Sequence, residues 1–136
     1  MKVLSLTEPC ATLIKEQKKH IETRSWKTSY RGELYIHASM TKIPKSWREN
    51  REFMALVKDI PLNYGTIICK CQLVDCIYMT EDYVNKIKKE NPIEYICGDY
   101  KEGRYAWVLE SIEPLTEPIP AKGHLSIWTY EDKTNE

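Results

Sequence analysis

The sequence predicts an α+β fold, a small mixed β-barrel of about five strands with flanking helices. Three observations point there. Period-two alternation recurs in short runs rich in β-branched and aromatic residues. Capped stretches with helical spacing lie between those runs. Short two-faced strands in this number close up to avoid exposed edges. With 136 residues the chain has the usual size of one compact domain, and residues 1–130 are expected to form it, with 131–136, "EDKTNE", as a frayed tail.

The elements follow in order. "VLSL" is a short strand, and in "TEPCATLIKEQKK" Thr7 is placed to cap a helix that Pro9 opens and that buries Ala11, Leu13 and Ile14. "HIETRSW" and "YRGELYIHAS" read as two strands joined by a turn, the second setting Leu34, Ile36 and Ala38 against Glu33, Tyr35, His37 and Ser39. "IPKSWRENREFMALVK" carries Trp47, Arg51, Met54 and Val57 near helical spacing and reads as one helix. "GTIICKCQLVDCIYM" is the strongest strand, with Ile67, Cys69, Cys71 and Leu73 on one face. Strict alternation carries Asp75 onto that face, so either a bulge near Val74 resets the register or Asp75 points inward and needs a partner. "TEDYVNKIKKEN" reads as a helix capped by Thr80 and stopped before Pro92. "RYAWVLESIEPL" and "GHLSIWTY" are the last strands, and the prolines of "TEPIPAKG" keep the segment between them out of regular structure.

The 20 basic and 20 acidic residues cancel, which excludes a surface coated in positive charge for indiscriminate nucleic-acid binding. The halves differ, however. Residues 1–60 hold 12 Lys/Arg against 7 Asp/Glu, and residues 61–136 hold 8 against 13. A local basic patch therefore survives if the fold keeps the halves apart. No run of apolar residues is long enough to cross a bilayer, and nothing at the start resembles a cleaved leader, so the chain is expected to be soluble and cytoplasmic, with no membrane partner. Five cysteines lack the spacing of a disulfide framework or a zinc site, so they read as reduced core residues, and no metal or cofactor is expected.

The candidate site is "KKHIETRSW", where Lys19, Glu22 and Arg24 stand beside Ile21 and Trp26 in a segment heading for the core. Charges that approach a core need partners. Spacing alone leaves two readings, a structural Glu22–Arg24 ion pair with Lys19 solvated, or a ligand site. Arg24 offers a planar fork to a phosphate or base edge, Lys19 a compact cation, and Glu22 an acceptor for an exocyclic amine. Trp26, Tyr35 and Trp128 are candidate stacking faces. His37, Ser39 and Asp75 complete the candidate binding set, His37 being equally readable as a hydrogen-bonded structural residue.

"QKKHIETR" resembles the G-x-K-x-x-E-x-R signature of the ASCH domain family (activating-signal-cointegrator homology), with Lys19, Glu22 and Arg24 in its three functional places. "LSLTEPCATLI", "YRGELYIHAS", "LVDC" and "YAWVLESIEPLTEPIPAKGHLSIW" match further family motifs in order, from about Leu4 to Trp128. The resemblance implies a PUA-like barrel of about five to six strands with a cleft where these three charges gather. It also implies single-stranded RNA, a nucleotide or a modified nucleoside as ligand. Two residues depart from the pattern. Gln17 stands where the family has glycine, costing about 1 kcal/mol if its φ is positive. Cys10 replaces an aromatic, which implies a more open pocket wall.

The resemblance also implies an enzyme reading, since some relatives look like amidohydrolases acting on an acylated cytidine through a lysine and a threonine three residues later. Glu22 occupies that threonine's place here, and Thr23 should face the other way on a strand. A hydrolase would instead use Lys19 and Glu22, with Glu22 as base for a water and Lys19 steadying the oxyanion. A ribonuclease would draw on hydroxyls such as Tyr30, Ser39 or Ser126. A third class is a module that docks a protein partner whose nature is unspecified.

Overall fold

The alternation around Ile67, Cys69, Cys71 and Leu73 produces the spine of the molecule, a 13-residue strand that bends as it runs. The computed structural model describes residues 1–131, so most of the expected tail at 131–136 lies outside the described residues. In chain order the elements are β1 (Lys2–Leu6), α1 (Cys10–Lys15), β2 (Ile21–Arg24), β3 (Gly32–Ala38), α2 (Lys45–Arg48), α3 (Arg51–Ala55), β4 (Thr66–Tyr78), α4 (Glu81–Glu90), α5 (Pro92–Ile96), β5 (Tyr105–Pro120) and β6 (Ile127–Thr129). The strands form one mixed sheet in the order β2-β5-β4-β3-β1-β6, curled into a half-barrel. Among the described residues only β1 and β3 pair in parallel. The expected α+β class holds.

Shifts of register bend the spine. Between Leu73 and Asp75 the β4 pairing slips, and Ser111 takes a φ of 53° where β5 carries two residues opposite Cys71. The slip near Val74 turns Asp75 outward, where it is exposed and faces Arg31 at 3.9 Å. The bulge is therefore the correct alternative, because solvent solvates the carboxylate that the core would have had to pair.

Three other expectations change. The strands β2 and β3 are not neighbours, since β2 pairs with β5 and β3 lies between β4 and β1. The helix expected from 43 to 58 is two short helices, because the Asn50 side chain accepts a hydrogen bond from Phe53 N and starts α3 afresh. The proline-rich stretch expected as a loop belongs to β5, which runs to Pro120. Its prolines are tolerated because β2 flanks β5 only at residues 105–108, leaving one side of the later part without a strand. The helix expected to stop before Pro92 does so, and Pro92 then opens the short α5 behind an Asn91 cap.

The first helix is buried on all sides, with Ala11, Leu13 and Ile14 at 0% exposure beneath the concave face of the sheet. Burying each of the two larger side chains contributes about 1.5–3 kcal/mol. Its N-terminus is satisfied by Glu8 rather than by Thr7: the buried Glu8 carboxylate accepts from Thr12 N at 2.8 Å, Thr12 Oγ1 at 2.6 Å and Asn63 N at 3.0 Å. Its C-terminus is a Schellman turn. Lys18 N donates to Leu13 O and Gln17 N to Ile14 O, with Gln17 at φ 58°, so the expected positive φ is present without glycine. That turn reverses the chain and delivers Lys19 to the edge of the sheet.

Candidate functional site

A cleft of about 510 Å³ opens between β2, the start of α1, the α2–α3 pair and the loop after α5. Its charged lining comes from both halves of the chain, so the expected basic patch of the first half does not form separately. Lys19, Arg24 and Arg104 face Glu22 and Asp99, leaving one surplus positive charge in the lining.

Lys19 reaches the cleft from the turn before β2 and is 1% exposed, so it is not the solvated lysine of the ion-pair reading. Its Nζ donates to Cys97 O at 2.7 Å and lies 3.5 Å from Glu22 Oε1. Burial pushes its pKa down more than any other single influence, but Glu22, helped by Cys10, Glu94 and Cys97, outweighs it and the net shift is upward. Lys19 therefore stays protonated.

Glu22 also lies 3.3 Å from Arg24 Nε, so one carboxylate holds both cations. Alternation along β2 places Glu22 and Arg24 on one face and aims Ile21 and Thr23 at the other. The Arg24 guanidinium sits 5.2 Å from the Trp26 ring and 5.6 Å from the Trp107 ring. One of its terminal nitrogens donates to Ser5 O at 3.5 Å. Its Nε is buried without a hydrogen-bond partner, a condition shared among the described residues only with Tyr100 OH. Trp26 itself is 44% exposed at the mouth.

Several residues that shape the cleft escaped sequence reasoning. The buried Glu94 carboxylate accepts from His20 N at 2.8 Å and Ile21 N at 3.1 Å, fixing the entry to β2. Arg104 donates to Asp99 O at 2.9 Å and Thr23 O at 3.2 Å, tying the loop after α5 to the outer edge of β2. Gly98 permits that approach, since a Cβ there would lie 2.8 Å from the Thr23 methyl carbon. Asn50 and Trp47 form the opposite wall. A capping asparagine before "REF" was the one available signal, and it was overlooked.

The remaining candidates are elsewhere. His37 is fully buried in a closed network: Ser5 Oγ lies 2.9 Å from its Nδ1, Ala121 O lies 2.7 Å from its Nε2, and Trp128 Nε1 donates to Ser5 Oγ at 2.9 Å. Trp128 is thus engaged there and not in the cleft. Ser39 donates to Thr41 Oγ1 on the surface. Asp75 is turned out by the bulge, Tyr30 OH donates to Glu33 O, and Tyr35 and Ser126 do not line the cleft. Thr23 does border it, but its hydroxyl accepts from Asp99 N at 3.0 Å.

Two thiols border Lys19. Burial raises Cys10 to about 12 and Cys97 to about 11, although Lys19 pulls each down, so both remain thiols at neutral pH. All five cysteines are free, four of them buried and Cys76 half-buried. Among the described residues no group of three or more His, Cys, Asp and Glu side chains could hold a metal ion, and no helix is long and apolar enough to cross a membrane.

Comparison with known proteins accords with this architecture. The family model described as ASCH domain matches residues 4–119. Activating signal cointegrator 1 from Homo sapiens is 26% identical over 98% of this chain, and that from Mus musculus is 23% identical over 98%. The chain spans 23% of the length of these relatives. The crystal structure of ASCH from Zymomonas mobilis has a TM-score of 0.57 at 19% identity, covering 97% of this chain and 87% of that one. A mutant of the same protein has the same TM-score over 97% and 90%. The likeness to the solved structures is one of fold.

Proposed function

The chain belongs to the ASCH domain family, and from the geometry of its cleft we propose that it binds single-stranded RNA, with one nucleotide seated against Lys19, Glu22 and Arg24. The supporting observation is Arg24. A guanidinium set beside two indoles, with Nε in ion-pair contact with Glu22 but without a hydrogen bond to it, and with one long 3.5 Å hydrogen bond from its terminal nitrogens, keeps donor capacity for a ligand. The cavity volume suits a nucleotide-sized group, and the surplus positive charge favours an anion. Glu22 serves chiefly to keep the two cations in position, one carboxylate oxygen on each.

Binding without chemistry is the better-supported version. A protonated Lys19 suits an oxyanion, but the base that version needs is Glu22, whose two carboxylate oxygens are engaged with Lys19 at 3.5 Å and Arg24 at 3.3 Å. A nucleophilic thiolate is equally disfavoured by the burial of Cys10 and Cys97.

The test uses end-labelled single-stranded RNA with wild type and Arg24→Ala at low and high salt, resolved on native and denaturing gels from the same tubes. The expected result is a native shift that weakens with salt and with the substitution, while the RNA stays intact. Cleavage lost in the variant would establish a nuclease instead. Intact RNA that never shifts would overturn RNA binding and turn attention to free modified nucleosides or a protein partner.

A further inference from the structure

The strand register extends the cleft outward. Arg24 lies opposite Tyr105, and Tyr105 opposite Tyr78, so the three form one row across β2, β5 and β4 with their side chains on the same face. The neighbouring row is Glu22, Trp107 and Cys76, which brings a cleft carboxylate and the buried indole that packs on Arg24. Moving along the strands by two residues therefore passes from the charged cleft to an aromatic strip. Its members are Trp26 beside Arg24, then Tyr105, then Tyr78, which meets Tyr105 edge to face with ring centroids 5.6 Å apart, so each ring offers its own face rather than one flat surface. Trp26 is 44% and Tyr78 49% exposed, so both ends of the strip reach solvent.

We propose that Trp26, Tyr105 and Tyr78 form a stacking platform for the unpaired nucleotides that flank the one in the cleft. This rests on the RNA-binding reading above. Neighbouring strands lie roughly 4.8 Å apart, so the row from Arg24 to Tyr78 spans about 10 Å, enough for one or two bases laid against rings. Arg24 belongs to both the row and the cleft, Arg104 precedes Tyr105 and lines the cleft, and exposed Lys27 follows Trp26. The one cation that contacts a ring of the strip is Arg24 at Trp26, and it joins the strip to the charged cleft, the pairing of backbone charge and stacking faces that single-strand binders use. The expected readout is insensitive to base identity, because every base offers a π-face.

The test compares two five-nucleotide RNA probes of each base, one complete and one with a single base kept and the other positions abasic but all phosphates retained. Affinity is measured for wild type, Tyr78→Ala, Trp26→Ala and, as a control at the far end of β4, Tyr64→Ala. Wild type and Tyr64→Ala are expected to bind the complete probe at least roughly fivefold more tightly than the abasic one, and each platform variant to lose most of that ratio. Tyr78→Phe should restore it, which separates stacking from a hydroxyl contact. Thermal melting checks that the variants remain folded, and Tyr78 and Trp26 are substituted independently so that one unfolded variant does not decide the matter. If the abasic probe binds as tightly as the complete one and still depends on Arg24, the platform is overturned while the cleft reading stands. Failure of wild type to bind any probe overturns both.

Discussion

Two buried polar clusters share Ser5 and behave oppositely. On one side, the Ser5 hydroxyl completes a closed circuit: His37 is neutral with Nε2 donating to Ala121 O, Ser5 Oγ donates to Nδ1, and Trp128 Nε1 donates to Ser5 Oγ. On the other, the Ser5 carbonyl accepts from Arg24, whose buried Nε has ion-pair contact with Glu22 at 3.3 Å but no hydrogen bond, beside a 510 Å³ cavity. Both clusters contain residues that a sequence reader marks as functional. The difference is completeness. A circuit with every donor and acceptor paired fixes β1, β3 and β6 together, whereas an arrangement that pairs its charges but strands a donor is ready for something else.

The sharpest way to break this contrast is Lys19→Met. It removes a fully enclosed cation, exposes Glu22 to one fewer partner and strands the Cys97 carbonyl, so urea unfolding should show a loss of about 3–5 kcal/mol. Adding Glu22→Gln should recover part of that loss, since the remaining burden is an uncompensated charge. A recovery of nothing would mean that Lys19 acts through packing.

Next in size is Ser5→Ala, which leaves His37 Nδ1 and the Trp128 indole N–H without partners. The expected cost is about 2 kcal/mol in stability with RNA affinity unchanged. Affinity that falls with stability would join the two clusters into one site. Conversely, Arg24→Lys should keep the fold, because Glu22 retains a cation, yet lower RNA affinity about tenfold through loss of the planar fork.

The smallest effect is one of pH. Burial, with a lesser contribution from His124, holds the His37 pKa below its usual value against the opposing pull of the Ala121 carbonyl. The unfolded chain then takes up this proton first, so stability is full above about pH 6.5 and declines as pH falls below it. A His37→Gln variant should melt at a lower temperature at neutral pH but with a shallower decline between pH 7 and 5.

The charged trio was legible because β2 alternates and because its spacing matches a family signature; the half-barrel was legible from periodicity in β3 and β4. What sequence could not supply were partners set by long-range pairing. Lys19 is held by the backbone carbonyl of Cys97, an atom that any residue provides, and β2 entry is held by Glu94, which looks like an ordinary surface helix acid. Alternation left Asp75 open between a bulge and an inward side chain, which the β4–β5 register decides, and Ser39 falls one residue past the end of β3. His37 shows the limit most clearly, since its closed circuit needs Ala121 and Trp128 brought from the far end of the chain.

The four tryptophans divide between the two clusters, which allows one direct measurement. Trp26, Trp47 and Trp107 touch the cleft or its arginine, and Trp128 belongs to the His37 circuit. In a ¹H–¹⁵N correlation spectrum titrated with a short single-stranded RNA, the indole signals of Trp26, Trp47 and Trp107 should shift and that of Trp128 should stay. A moving Trp128 signal with the other three unchanged would contradict the assignment of function to the Lys19–Glu22–Arg24 cleft.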